Sequence, residues 1–188
     1  MNFTQDWFSG NINNFQTCMS ALDKRDLFME IGSFEGRATC WMLENGLAED
    51  GEITCIDPYI KLDFDPTVDM EAVKDRFIAN TQEIKRGAQF VDLHEATSYT
   101  ALSWLIQDIV GRADIYDFIY IDGSHAPDVA LTDACMAWGM LRKGGVMLFD
   151  DYEYPHEPPK VGIDGSLNAF AGQYKTIVKN YQMGIQKL

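Results

Sequence analysis

The chain has 188 residues, a formal net charge of −14 and a sequence pI of about 4.4. This length fits one domain with a sizeable core, so we predict a single domain over residues 1–188. The strong negative charge disfavours a protein that grips the phosphate backbone of nucleic acids or an anionic membrane surface. We therefore expect neither a nucleic acid nor a membrane as a partner.

Cysteine usage and the N-terminus indicate the compartment. Cys18, Cys40, Cys55 and Cys135 are far apart, and three of them fall within apolar segments. This pattern is typical of buried free thiols rather than of a disulfide framework or a zinc site. The N-terminus lacks a basic segment followed by a long apolar run, and no segment reaches the roughly 20 apolar residues of a membrane span. We therefore expect a cytoplasmic protein.

The first predicted element is an amphipathic helix that packs on the sheet. Its apolar face consists of Ile12, Phe15, Met19 and Leu22. Trp7 and Phe8 come just before this helix. We favour the interpretation that they pack against the core, and the alternative is that they form part of a lid over a ligand.

A strand that runs into a glycine-spaced turn and then a helix follows at residues 28–37, which read FMEIGSFEGR. Gly32 and Gly36 remove side chains where the backbone turns tightly and approaches a ligand. The turn opens at a helix N-terminus, whose N–H groups suit a carboxylate or a phosphate. The spacing is E-x-G-x-x-x-G rather than the G-x-G-x-x-G of dinucleotide sites. Taken alone, the two glycines are equally consistent with a purely structural turn.

The second predicted strand ends in an acid. Residues 51–58 read GEITCIDP, which places Asp57 21 positions after Gly36. A carboxylate at the end of the second strand can accept two hydrogen bonds from a ribose diol. The alternative role for Asp57 is that of a turn former before Pro58.

Strands and helices continue to alternate along the chain. The segment 115–121 is apolar on both faces, as in a parallel strand that is covered by helices. The alternation predicts an α/β fold with a doubly wound, mostly parallel sheet and an antiparallel C-terminal edge hairpin. The predicted later elements are helix 68–85, strand 88–94, helix 101–109, strand 115–121, helix 129–141, strand 146–149, helix 166–174 and strands 176–178 and 182–185.

Three carboxylates follow neighbouring predicted strands. Asp122 comes after the fourth strand, and Asp150 and Asp151 come after the fifth. Ligands bind at this rim of an open α/β sheet, and oxygen ligands from two strand ends can hold Mg²⁺. The alternative is structural, with Asp122 orienting the turn that follows and the Asp pair forming a polar strand end.

These motifs together resemble those of the class I S-adenosylmethionine-dependent methyltransferases. Glu30, Gly32 and Gly36 match the first motif of that family, and Asp57 matches its ribose-binding acid. Residues 117–125 (DFIYIDGSH) and 144–152 (GGVMLFDDY) resemble later motifs of small stand-alone members. The resemblance covers nearly the whole chain and implies a seven-stranded, Rossmann-like methyltransferase sheet.

The resemblance also implies S-adenosylmethionine as cofactor. Ala96 stands where the family often has a glycine, at the end of the third strand. By motif position, the expected cofactor-binding residues are Glu30, Gly32, Ser33, Gly36, Asp57, Ala96, Thr97, Ser98 and Asp122. The similarity to metal-dependent O-methyltransferases implies that Asp122, Asp150 and Asp151 bind Mg²⁺.

The expected catalytic residues are Asp122 and His125. His125 stands three positions after Asp122, where catechol-type O-methyltransferases have a lysine base. An imidazole is well matched to proton abstraction near neutral pH. His156, in the loop beyond the Asp pair, is a rival base, and either histidine could instead be structural.

We predict a methyltransferase that acts on a hydroxyl oxygen of a small or glycosylated molecule with the assistance of Mg²⁺. One alternative is a metal-independent N- or C-methyltransferase, in which the acids only position the substrate. The other is a non-catalytic S-adenosylmethionine-binding module, which is disfavoured because the acids and His125 are present. The sequence leaves the oligomeric state open.

Overall fold

The structure, a computed structural model, describes residues 1–61, 65–108, 114–155 and 159–188. The strands are β1 (Leu27–Ile31), β2 (Glu52–Ile56), β3 (Phe90–His94), β4 (Tyr116–Ile121), β5 (Leu141–Phe149), β6 (Tyr174–Lys179) and β7 (Met183–Lys187). The α-helices are α1 (Ile12–Ala21), α2 (Arg37–Asn45), α3 (Met70–Ile84), α4 (Ser98–Asp108), α5 (Pro127–Trp138) and α6 (Lys160–Ala169).

The strands form one seven-stranded sheet in the order β3-β2-β1-β4-β5-β7-β6. All neighbouring pairs among β1 to β5 are parallel, and β7 is antiparallel to both β5 and β6. The predicted mostly parallel sheet with an antiparallel C-terminal edge is therefore confirmed.

Helices cover both faces of the sheet. Alternate strand residues point to opposite sides and pack against the helices on each face. Phe28 and Phe118 belong to a core cluster with side chains of α1, α2 and α3. Their neighbours Met29 and Ile119 belong to a second cluster with side chains of α4, α5 and α6. This arrangement confirms the doubly wound architecture.

The order of the strands reverses between β1 and β4, and this reversal positions the site. The chain proceeds from β1 outward through β2 to β3 and then returns to place β4 on the other side of β1. The backbone N–H of Asp122 donates to the carbonyl oxygen of Ile31 at 2.8 Å, so the two strands end side by side. Ligands of doubly wound sheets bind at such a switch point.

The predicted boundaries of β5 and α6 are wrong. β5 begins at Leu141 rather than at residue 146. Gly144 and Gly145, which the sequence predicts to lie before the strand, are within it, and the pairing with β4 is irregular there. The predicted helix 166–174 is instead α6, which begins at Lys160 and ends at Ala169. Glycines disfavour helices, but a Cβ at Gly162 would lie 1.9 Å from the carbonyl oxygen of Pro127, so this glycine permits close packing on α5.

The remaining expectations concern cysteines and membrane spans. Cys18, Cys40 and Cys55 are buried free thiols, as predicted, and Cys135 is exposed. Burial raises the pKa of Cys18 to about 12. Within the described ranges, no helix is long and apolar enough to cross a membrane.

Candidate active site

The turn after β1 depends on its two glycines. Gly32 has a φ of 88°, and a Cβ there would lie 2.0 Å from the carbonyl oxygen of Asp122. Gly36 precedes α2 with a φ of 78°, and its Cβ would lie 2.8 Å from Cδ2 of Phe77. Only glycine adopts both conformations without strain. We call residues 32–36 the glycine loop.

Asp57 holds the glycine loop against the end of β2. Its Oδ2 accepts hydrogen bonds from the backbone N–H groups of Ser33 at 3.1 Å and Phe34 at 2.9 Å. Its Oδ1 accepts from the backbone N–H of Tyr59 at 2.8 Å. Burial raises the pKa of this carboxyl, although the three N–H donors oppose that effect. Since a carboxylate offers about four acceptor positions, Oδ1 retains one for another donor.

A cavity of about 50 Å³ lies above the glycine loop at the ends of β1 and β4. Four of the predicted cofactor-binding residues line it, namely Glu30, Gly32, Ser33 and Asp122. Gln5 and Tyr120, which the sequence did not assign to a site, also line it, as do Trp7 and Phe8, for which a lid over a ligand was the alternative interpretation. The expected packing role is confirmed for Phe8, which is buried, whereas Trp7 is 59% exposed and borders the cavity.

Glu30 is the buried acid of this cavity. Its side chain accepts hydrogen bonds from the hydroxyl of Thr39 and, at 3.7 Å, from the thiol of Cys55. Burial raises its pKa to about 8, against the opposing effect of the Thr39 hydroxyl. The Ser33 hydroxyl lies beside this carboxyl but makes no hydrogen bond of standard geometry. The cavity thus presents a buried acid and an unsatisfied hydroxyl to a polar ligand.

Ala96, Thr97 and Ser98 lie at the end of β3 and the start of α4. The Thr97 hydroxyl is hydrogen-bonded to that of Thr100, and the Thr97 carbonyl accepts from the N–H of Ala101 at 3.0 Å. β3 is separated from β1 by β2. These three residues therefore share the rim of the sheet with the glycine loop, but none of them lines the cavity above it.

The structure brings Asp122 and Asp150 together around one tyrosine. The hydroxyl of Tyr120 donates to Oδ2 of Asp150 and lies 3.0 Å from Oδ2 of Asp122. Asn11 donates to Asp150 through Nδ2 at 3.2 Å. Burial and the nearby carboxylates raise the pKa of Asp122 well above its ordinary value, and burial raises that of Asp150 to about 6.

Asp151 pairs with His125. It has a φ of 53°, and its Oδ2 lies 2.8 Å from Nε2 of His125. Its other oxygen accepts from the hydroxyl of Tyr181. Burial would raise the pKa of Asp151, but the hydrogen bonds from His125 and Tyr181 lower it below its ordinary value. Asp122, His125, Asp150 and Asp151 all line a narrow cleft beside the cavity.

The carboxylates are partly engaged by protein donors. Both oxygens of Asp150 and of Asp151 and Oδ2 of Asp122 lie within hydrogen-bond distance of protein groups, so Mg²⁺ would have to replace some of these contacts to reach an octahedral set of oxygen ligands. Of the side chains that the structure describes, no group of three or more His, Cys, Asp or Glu residues is arranged to hold a metal ion. His156, the rival base, lies outside the described residues.

Sequence reasoning missed the tyrosines that organise these acids. Tyr120 stands two positions before Asp122 on β4, so both side chains point to the same face, and this spacing could have revealed the pair. Tyr181 lies in the turn between β6 and β7, and no local pattern connects it with Asp151.

The fold and site agree with a family assignment. A family model described as a methyltransferase domain matches residues 29–152, and the chain therefore belongs to this family of class I S-adenosylmethionine-dependent methyltransferases. A curated relative, uncharacterized protein R132 of Acanthamoeba polyphaga mimivirus, is 28% identical over 144 residues, which are 76% of this chain. The chain spans 59% of the length of that relative.

Solved structures share the fold at low sequence identity. A Corynebacterium glutamicum protein superposes with a TM-score of 0.68 at 16% identity, covering 98% of this chain and 82% of that one. An O-methyltransferase from Bacillus cereus, solved in complex with SAH, gives 0.66 at 16% identity and covers 97% and 82%. CalS11, a TDP-rhamnose 3′-O-methyltransferase of calicheamicin biosynthesis, gives 0.61 at 14% identity and covers 95% and 78%.

Proposed function

We propose that this protein transfers a methyl group from S-adenosylmethionine to a hydroxyl oxygen of a small or glycosylated molecule. The observation that carries the proposal is the adjacency of two features, the cavity over the glycine loop and the cleft with the His125–Asp151 pair, which share Asp122. Two fold neighbours are O-methyltransferases, which supports oxygen as the acceptor. The single domain over residues 1–188 and the cytoplasmic location remain predictions.

The cavity suits the amino-acid portion of the cofactor. The carboxylate of Glu30 can accept hydrogen bonds from the ammonium group of the cofactor. The positive charge of that group would keep the carboxyl ionised. Ser33 contributes a buried hydroxyl that lacks a standard hydrogen bond. Gly36 is the N-cap residue of α2. Gly32 borders the cavity with backbone atoms alone, because it has no side chain.

The nucleoside portion of the cofactor would extend along the ends of β2 and β3. Asp57 would accept a ribose hydroxyl through the remaining position on Oδ1. Ala96, Thr97 and Ser98 lie farther along the same rim and would border the adenine. When bound, S-adenosylmethionine supplies a methyl group on a positively charged sulfur, which leaves as a neutral thioether.

His125 would serve as the general base for the acceptor hydroxyl. Its Nε2 faces Asp151, so we assign the proton of the neutral ring to Nε2 and the basic lone pair to Nδ1. Nδ1 would take the hydroxyl proton while an oxygen lone pair forms the new bond to carbon. Asp122 would hold the acceptor in line between the cavity and the cleft, since alignment supplies much of the acceleration in such displacements.

Magnesium assistance was expected from Asp122, Asp150 and Asp151. Most of their oxygens contact protein groups, among them Tyr120, His125 and Tyr181, so no step of the proposal depends on an ion. Calorimetry with Mg²⁺ alone tests this point directly. Tight binding that is lost in Asp150→Asn would restore the metal-assisted mechanism.

The test of the proposal has two stages. Calorimetry should first show binding of S-adenosylmethionine and of S-adenosylhomocysteine, and tight binding of NAD in their place would contradict the assignment. A methyl-transfer screen over sugar, phenolic and peptide hydroxyls, with amines in parallel, should then identify oxygen acceptors. Turnover of amines alone would indicate N-methylation, and binding without any turnover would favour a non-catalytic module.

A further inference from the structure

Residues 3–8, here called the N-terminal strap, cross the glycine loop. The backbone N–H and the hydroxyl of Thr4 donate to the two carboxylate oxygens of Glu35, each at 2.6 Å. Nε of Arg37 donates to the carbonyl oxygen of Gln5 at 3.1 Å, and the guanidinium also pairs with Asp6 at 3.5 Å. These bonds attach the strap to the glycine loop and to the first residue of α2.

The inner side of the strap forms one wall of the cofactor cavity. Gln5, Trp7 and Phe8 line that cavity, and the ring of Trp7 lies 5.0 Å from the ring of Phe34 in the glycine loop. Phe8 is fixed in the core by an edge-on contact with Phe15 at 4.9 Å. The end of the strap at Phe8 is thus anchored, whereas Trp7 is more than half exposed.

One buried carboxylate joins the strap to the rest of the site. Glu35 lies within the glycine loop and is almost fully buried. Besides both donors of Thr4, it accepts a hydrogen bond from Nε of Arg76, on α3, at 2.6 Å. Because the same side chain holds the strap and the loop, a ligand that shifts the loop also shifts the strap, and the coupling is reciprocal.

The strap differs from the other walls of the cavity in how it is held. The strap is held by hydrogen bonds that Thr4 and Gln5 make with Glu35 and Arg37 and belongs to no strand of the sheet, whereas the opposite walls are β1 and β4 in the middle of the sheet. The strap is therefore the wall that can move.

We propose that the strap opens to admit S-adenosylmethionine and closes over it, with Trp7 in contact with the bound cofactor. The strap then sets the rate at which cofactor and demethylated product exchange. This inference rests on the proposed cofactor binding. It also gives a role to a segment that lies outside the 29–152 match to the family model.

The first test compares Trp7→Ala with Trp104→Ala by following the release of radiolabelled S-adenosylhomocysteine from the full chain. Trp104 is a matched control because it is 51% exposed, like Trp7, but lies on α4 and does not line the cavity. We expect Trp7→Ala to accelerate release by roughly tenfold, the equivalent of about 1.4 kcal/mol. Trp104→Ala should release the ligand at the wild-type rate.

The second test weakens the attachment of the strap without changing the cavity wall. Thr4→Val removes the hydroxyl donor to Glu35 but keeps the backbone N–H, and Thr17→Val removes a comparable exposed hydroxyl from α1. We expect Thr4→Val, unlike Thr17→Val, to speed both association and release. In the wild type, hydrogen exchange of the strap amides should slow when S-adenosylhomocysteine is saturating.

The outcomes separate this inference from the proposed function. If the wild type binds S-adenosylhomocysteine but neither Trp7→Ala nor Thr4→Val changes its release, the role of the strap is wrong while cofactor binding stands. Unchanged exchange of the strap amides on binding would also overturn the role. If the wild type binds neither S-adenosylmethionine nor S-adenosylhomocysteine, both proposals fail.

Discussion

At the carboxyl end of β2, the carboxylate of Asp57 holds the glycine loop, and we propose that it also binds the cofactor. Three of its acceptor positions hold backbone N–H groups of Ser33, Phe34 and Tyr59. Its position at the end of the second strand is also where a ribose contact is expected. A substitution at this residue therefore changes the binding loop as well as the contact.

We expect Asp57→Ala to weaken binding of S-adenosylmethionine by roughly ten- to a hundredfold, because hydrogen bonds to a charged group contribute about 1.5–3 kcal/mol. The melting temperature should fall as well, since three backbone donors lose their acceptor. Asp65→Ala is the control, because the hydrogen bonds that the structure describes for its carboxylate lie within an exposed turn at Thr67. Calorimetry and thermal unfolding measure both effects, and wild-type affinity in Asp57→Ala would exclude a contact with the cofactor.

His125 gives the second prediction at the residue scale. In His125→Ala, turnover should fall by roughly 10²–10⁴-fold, and the rate should no longer rise with pH. Asp151→Asn should retain part of the activity, because it disturbs the orientation of the ring rather than removing the base. Profiles of turnover against pH for His125→Ala and His156→Ala check the assignment. If only the His156 variant loses the ascending limb, the base lies in the loop after β5.

Among the structural elements, β1 and β4 approach each other so closely that they require glycine at position 32. Gly32→Ala places a Cβ 2.0 Å from the Asp122 carbonyl oxygen and in a left-handed conformation, so we expect it to lower the free energy of unfolding by about 3–5 kcal/mol. Gly172 also has a positive φ, of 80°, but has open space around it. Gly172→Ala should therefore cost only the conformational strain, about 1–2 kcal/mol. Denaturant unfolding measures both, and equal losses would show that the close approach of the strands does not matter.

The elements also show what the sequence can predict. The alternation of apolar strands and amphipathic helices determines the doubly wound sheet, because each pattern fixes which face is buried. Glycines were harder to interpret, since Gly32 marks a turn, Gly144 lies inside β5 and Gly162 lies inside α6. Gly162 depends on a backbone contact with Pro127, which is distant in the chain, and Gly144 has a φ of 76° within a strand. Local propensity contains neither piece of information.

For the candidate site, the positions of the acids could be predicted from the sequence, but their hydrogen-bond partners could not. Strand ends indicated Asp57, Asp122, Asp150 and Asp151, because parallel strands deliver their terminal residues to one rim. The hydrogen-bond partners of these acids come from other elements, such as Tyr181 in the turn before β7 and Asn11 before α1. For this reason the sequence indicated where the acids lie but not that they are engaged with protein donors.

The molecule as a whole should be more stable at mildly acidic pH than at alkaline pH. Burial raises the pKa of Glu30 to about 8 and those of Asp133 and Asp150 to about 6. A raised carboxyl pKa means that the folded state binds more protons than the unfolded state, so stability falls as pH rises from the unfolded value through the folded one. Each such proton contributes a slope of about 1.4 kcal/mol per pH unit.

Between pH 6 and 8 the main contribution among these three groups comes from Glu30, so Glu30→Gln should flatten the fall in unfolding free energy over that window. Glu49→Gln, at an exposed position, is the control and should leave the slope unchanged. Urea unfolding at several pH values makes the comparison. An identical slope in Glu30→Gln and the wild type would show that this acid does not titrate there.

The contact between Gly32 and Asp122 has a consequence for how the protein is made. The two residues are 90 positions apart in the chain, and the β1–β4 pairing that joins them can form only after everything between them has been synthesised. Such non-local pairings require a long loop to close, which lowers the chain entropy before the new contacts stabilise the structure, so they form late in folding. A nascent chain that has completed β1, α2 and β2 already contains the glycine loop and Asp57. It still lacks β4 and Asp122, against which the loop packs. Cofactor recognition is therefore a property of the completed sheet, and its recovery during refolding should report the final assembly step rather than any earlier one.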